Sequence, residues 1–233
     1  MEYEPNPRRT PGALTRILRQ LSPGVRDVDD QREPFARYWD EQNATALAED
    51  GPLWVVIGDS TSQGIGADHP SESWVSLILD RLRDQNPKWR VINLSITGGQ
   101  YSDITRGLLP RYREIAASEG TPELVTLFAG SNNLMAPVSW PSMIRHLEEI
   151  LQELPPNAVI ANVGTESATN STQARRINRA IKRAPHQPIH MFWPWSWPSR
   201  DGQAADRYHP NRVGYGYVAD LIWPKILDAL AAT

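Results

Sequence analysis

The sequence predicts an α/β fold, a doubly wound parallel sheet of five strands with helices on both faces, giving three layers in a flavodoxin-like arrangement. Trp54, Val55, Val56 and Ile57 form a short, continuous, β-rich apolar run, the pattern of a strand buried on both faces of a parallel sheet. Beyond it, four further apolar runs alternate with segments of helical period, as parallel strands joined by crossover helices require. The first three runs each end in a small or amide-bearing turn, and parallel topology gathers such turns at one edge of the sheet, where ligands bind.

Before the first strand, residues 1–12 are polar and punctuated by proline, which predicts a mobile tail. From Ala13 to Leu21 the apolar residues Leu14, Ile17, Leu18 and Leu21 recur at i, i+3, i+4 and i+7, an amphipathic helix suited to packing on the domain or on a sister subunit. Residues 22–33 read as an acidic linker, and Phe35 to Ala48 as a helix presenting Phe35, Tyr38 and Trp39 on one face. The expected division is therefore an N-terminal helical extension and linker over residues 1–50, through which the chain could dimerise, and an α/β domain over 51–233.

In the domain, a helix is expected over Glu72–Leu82, with Trp74, Leu77, Ile78 and Leu82 facing inward. Arg90–Ile96 is the second strand, and a helix interrupted near Pro110 covers Asp103–Ser118. Glu123–Ala129 is the third strand. Pro141–Leu154 is a helix opening on proline, Ala158–Val163 the fourth strand, Gln173–Ala184 a basic helix and Pro188–Trp193 the fifth strand. Asn211–Ala231 closes the chain as a helix that Pro224 should kink or split.

Composition narrows the chemistry. A net charge of −3 gives no reason to expect a nucleic-acid partner, and the lack of cysteine excludes disulfides, thiolate metal sites and a cysteine nucleophile. Residues 1–10 lack the apolar core of a signal peptide, and no run approaches the ~20 apolar residues of a membrane span, so the expectation is a cytoplasmic protein without one.

Ser60 follows the first strand, where a nucleophile would face the crevice. Gly98 follows the second, Asn132 the third, and Asp206-Arg207-Tyr208-His209-Pro210 precedes the last helix. With these residues in IGDSTSQG, NLSITGGQ, AGSNN and DRYHPN, four blocks in order, the chain resembles the SGNH hydrolases, also called GDSL esterases and lipases. The resemblance covers Trp54 to Ala231. It implies Ser60 as nucleophile, His209 as base and Asp206 as its orienting acid. It also implies an oxyanion hole of the Ser60 and Gly98 backbone N–H groups and the Asn132 amide. No metal or organic cofactor is implied. Asn133 departs from the family pattern, standing where an aspartate often follows the oxyanion asparagine.

The chemistry supports those assignments. A serine hydroxyl needs a base to accept its proton as the bond forms, and imidazole suits that task near neutral pH. Asp206 lies three residues before His209, so on a tight turn its carboxylate reaches the second ring nitrogen. Ser62 is the competing nucleophile. Glu166, Asp103 and Asp201 are alternative acids without the same short connection, and His69, His146, His186 and His190 read as surface or packing residues. Trp193, Trp195 and Trp197 either wall an acyl chain or carry a sugar ring, or else staple their proline-rich loop to the core. The expected activity is a serine esterase acting on a small-molecule acyl ester, of any acyl chain length, through an acyl-enzyme. The alternatives are transfer to a sugar or glycerol hydroxyl, thioester cleavage, and a catalytically silent binding module.

Overall fold

The structure, a computed structural model, describes residues 3–136, 138–163, 171–189 and 200–232. A parallel five-stranded sheet in the order β2-β1-β3-β4-β5 is formed by β1 (Leu53–Gly58), β2 (Arg90–Ser95), β3 (Leu124–Phe128), β4 (Val159–Ala161) and β5 (Gln187–Ile189). Successive residues of β1 point to opposite sides. Val55 and Ile57 join a core beneath Leu108, Ile115, Leu147, Ile150 and Ile177, while Trp54 and Val56 join one with Trp74, Ile78, Leu82, Val218, Ile222 and Ile226. Every residue of β1 is buried, which is why its sequence runs apolar without alternation.

The extension forms α1 (Ala13–Leu21), α2 (Pro23–Asp29) and α3 (Arg32–Leu47). Residues 22–33 are thus not a linker. Ser22 caps α2 by accepting from the Val25 N–H, and Pro23 opens it at a position where no N–H is needed. Arg19 pairs with Asp29 and Asp30 at 2.9 and 2.5 Å, neutralising the acidic stretch that suggested a solvated connection. The N-terminal residues are likewise pinned. Asn6, 3% exposed, donates to the Asn93 carbonyl at 2.8 Å, the Tyr3 hydroxyl donates to Asp40, and Arg111 donates to the carbonyls of Glu4 and Pro5.

After β1 come α4 (Ser60–Gln63) and α5 (Trp74–Gln85). Then α6 (Tyr101–Asp103) leads through a π-turn at Ile104–Leu108 into α7 (Leu109–Glu119). The Leu109 N–H bonds five residues back to Ile104, and the wider turn resets the helix just before Pro110, which lacks an N–H. Short α8 (Ser131–Met135) follows β3, α9 (Trp140–Glu153) precedes β4, and α10 (Ser171–Arg183) precedes β5. The last helix, α11 (Arg212–Ala231), is not split at Pro224. Pro224 and Asp220, whose carbonyl loses its partner, both lie on the exposed side, so water can take the missing bond.

Candidate active site

In this strand order the sheet's direction of winding reverses between β1 and β3, and the turns leaving those strands flank a ready-made crevice. Ser60 stands in the first, as the opening residue of α4, with Asp59 as its N-cap accepting from the Thr61 N–H at 3.0 Å. A residue in that position has no intrahelical partner for its own N–H. Ser62 is fully buried, and its carbonyl accepts from Asn93.

The acid and base arrive from the far end of the chain on one tight turn. Arg207, at φ 57°, takes the left-handed conformation that turns the backbone between Asp206 and His209. The Asp206 Oδ1 accepts the backbone N–H groups of Tyr208 and His209, both at 3.0 Å, and its Oδ2 lies 2.6 Å from His209 Nδ1. The opposite ring nitrogen, Nε2, lies 3.0 Å from the Ser60 Oγ. A carboxylate accepts only, so it keeps the proton on Nδ1 and leaves Nε2 free to accept from the serine. Burial would push the Asp206 carboxyl up, but the bond to His209, that ring's charge and the two backbone donors outweigh it and hold the group below the ordinary carboxylate range.

Beneath the histidine, Gly66 lies so close that a Cβ would come within 2.3 Å of the Pro210 carbonyl and 2.8 Å of the His209 Cβ, at a φ of +104° that side chains rarely adopt. Gln31, the residue that precedes α3, clamps this loop, accepting from the Gly66 N–H at 2.7 Å and donating to the Ala67 carbonyl at 2.8 Å. Asn211 then caps α11, accepting from Val213 and Gly214 and donating to the carbonyls of Asp201 and Gln203.

Gly98 sits at φ +76° in a turn closed by the Gly99 N–H on the Ile96 carbonyl at 2.8 Å. Arg32 of α3 donates to the Thr97 carbonyl at 3.1 Å. That carbonyl belongs to the same peptide group as the Gly98 N–H, so the guanidinium fixes the plane in which this N–H lies.

Asn132 lines the same cavity as Ser60, Gly98 and His209. Its Nδ2 donates to Asp59 Oδ2 at 3.2 Å and to the Gly99 carbonyl at 3.1 Å, so both amide hydrogens are directed by the turns on either side. Asn133 is buried, and its side-chain carbonyl accepts the Tyr101 N–H at 3.0 Å. Burial pushes the Asp59 carboxyl up to about 6, against the Thr61 N–H, the charge of His209 and the Ser131 hydroxyl, which pull it down.

Sequence reasoning missed Arg32 and Gln31. Each lies in the extension and reaches a loop more than thirty residues away, so nothing local marks it. Of the other candidates, His146 pairs with the Thr105 hydroxyl, His186 with the Leu154 carbonyl and His69 with Ser71. Asp103 caps the Gln100 N–H and pairs with Arg9. Trp193, Trp195, Trp197, His190 and Glu166 lie outside the described residues. Among those described, no group of three acidic or histidine side chains is placed to hold a metal ion, and no helix is long and apolar enough to cross a membrane.

The sequence matches the GDSL-like Lipase/Acylhydrolase family over residues 56–217. It is 33% identical over 190 residues to Esterase TesA of Pseudomonas aeruginosa, covering 76% of this chain and 88% of that one. A crystal structure of TesA superposes with a TM-score of 0.64 at 22% identity, over 76% of this chain and 99% of the other. The psychrotrophic esterase EstA from Pseudoalteromonas sp., inhibited by monoethylphosphonate, gives 0.63 at 16% identity, over 78% and 100%. Axe2, an acetylxylan esterase from Geobacillus stearothermophilus, gives 0.55 at 16%, over 76% and 95%.

Proposed function

Because the chain belongs to the GDSL-like Lipase/Acylhydrolase family and is a carboxylic ester hydrolase, we propose that Ser60, His209 and Asp206 carry out the cleavage through an acyl-enzyme. The observation that carries this reading is the relay of two contacts, 2.6 Å from Asp206 to His209 Nδ1 and 3.0 Å from His209 Nε2 to the Ser60 Oγ. The hydroxyl attacks the ester carbonyl as the imidazole takes its proton, and the imidazolium, stabilised by Asp206, returns that proton to the departing alcohol. Water then enters, gives its proton to His209 and attacks the acyl carbonyl, and Ser60 leaves reprotonated.

The negative charge that builds on the carbonyl oxygen is met by the N–H groups of Ser60 and Gly98 and by the Asn132 amide. For Asn132 to serve, one of its two long bonds must be shared with or released to the oxyanion. A fluorophosphonate probe tests the nucleophile directly, since it forms a stable bond only to an activated serine. Wild-type protein should label and should hydrolyse p-nitrophenyl acetate. Ser60→Ala should lose both, with kcat down about 10⁶-fold or to background. A Ser60→Ala protein that still labels at the wild-type rate places the nucleophile elsewhere.

A further inference from the structure

The functional region is walled on one side by a part of the chain that lies before residue 56, where the family match begins. A cavity of about 260 Å³ holds Ser60, Gly98, Asn132 and His209, and Thr15 and Leu18 of α1 and Val25 and Val28 of α2 line it as well. Building on the esterase reading, we propose that Leu18, Val25 and Val28 form the acyl-binding wall and restrict the enzyme to esters of short acyl chains.

Size and chemistry both point this way. The cavity of 260 Å³ falls below the ~300–1,000 Å³ of pockets that bury drug-sized ligands. A space of that size is on the scale of an ester group with a short acyl chain. Leu18, Val25 and Val28 offer methyl and methylene groups opposite the polar serine, histidine and amide, which suits an acyl tail, and the charged Asp29, Arg32 and Arg207 complete the lining.

The wall is also fastened in place. Val28 is 5% exposed and packs with Phe35, Ile65 and Ala204, and Arg19 bridges α1 to the end of α2 through Asp29. Gln31, just beyond α2, holds the loop that carries Gly66 under His209. A pocket boundary tied to the catalytic loops keeps its distance from Ser60, as a length gauge must.

The test is the chain-length profile of the full-length protein on p-nitrophenyl esters from acetate to decanoate. Wild type should peak at or below hexanoate. In Val25→Phe the ratio of kcat/KM for hexanoate over acetate should fall by about tenfold or more, as an added bulk of several carbons displaces the tail. In Leu18→Ala, at a half-exposed site that leaves the fold intact, the ratio for octanoate over butyrate should rise by about tenfold. A wild-type peak at octanoate or beyond, or both variants keeping the wild-type ratios, overturns the wall. A wild-type protein that cleaves no ester and takes no fluorophosphonate label instead sinks the esterase reading itself, so the two failures are distinct.

Discussion

Two turns of the candidate site each bury an aspartate, yet they shift its carboxyl in opposite directions. In the turn after β1, Asp59 is pushed up to about 6 by burial. In the turn before α11, Asp206 is held below the ordinary range although burial works against it too. Both accept backbone N–H groups, so hydrogen-bond donors alone do not account for the difference. Asp206 touches the imidazole directly at 2.6 Å, whereas Asp59 feels the charge of His209 only through space. A direct partner that can carry positive charge is what pulls a buried carboxyl below its ordinary range against the push of burial. Asp206 is thereby equipped to stabilise an imidazolium. Asp59, tied to Thr61, Ser131 and Asn132, is equipped to hold two neighbouring turns together.

The largest effect should come from removing the charge where it faces the ring. Asp206→Asn keeps the shape but can present an N–H to Nδ1, which favours the tautomer with its proton on Nε2 and leaves Ser60 without a base. The expected loss is about 10⁴-fold in kcat with KM little changed, measured on p-nitrophenyl acetate. A loss under tenfold would mean that the two aspartates do not differ in role as their surroundings suggest, with about tenfold set far below that expectation.

Next comes Asn132, the ligand of Asp59 that also faces the cavity. If its amide moves to the oxyanion during reaction, Asn132→Ala should lower kcat by about 10²–10³-fold, the usual cost of one such donor. A kcat within about threefold of wild type would leave Asn132 as a brace for Asp59 and the oxyanion hole to the two backbone groups. Melting temperature separates the cases further, because a brace matters to stability and a transition-state donor matters to rate.

Most of this site was legible because its signals are local. A continuous apolar run marks β1, a serine follows it, and Asp206 and His209 lie three residues apart on one turn, so spacing alone predicts that they meet. The extension was read less well for the opposite reason. Asn6 finds its acceptor in Asn93, Gln31 reaches Ala67 and Arg32 reaches Thr97, and a contact between distant residues leaves no periodicity behind. Residues 22–29 carry the Ser-Pro start of a helix, but their charge density points to solvent, and the pairing of Arg19 with Asp29 and Asp30 that answers it leaves no local mark in the sequence. At Pro224 the helix runs on unsplit, because on the exposed side of α11 water can take the bond that proline forgoes.

The smallest effect, and the one that isolates Asp59, is a pH dependence of stability. Its carboxyl titrates near 6 when folded against 3.8 as the ordinary value, so the folded protein binds a proton that the unfolded chain does not between those limits. A raised carboxyl contributes stability that is complete below the lower value and is lost as pH rises through about 6. Between pH 7.5 and pH 5, Asp59 should therefore add about 1.4 kcal/mol to the unfolding free energy on acidification, whatever other groups do over the same range. Urea denaturation of wild type and Asp59→Asn at both values reads this, because the difference between the two proteins cancels the titrating groups that do not interact with Asp59. The amide oxygen keeps an acceptor for the Thr61 N–H, so the variant should fold, while its NH2 replaces the oxygen that accepts from Ser131 and Asn132. If the stability difference between the proteins is the same at both pH values, the Asp59 carboxyl is not raised, and burial without a direct positively charged partner does not set the two turns apart.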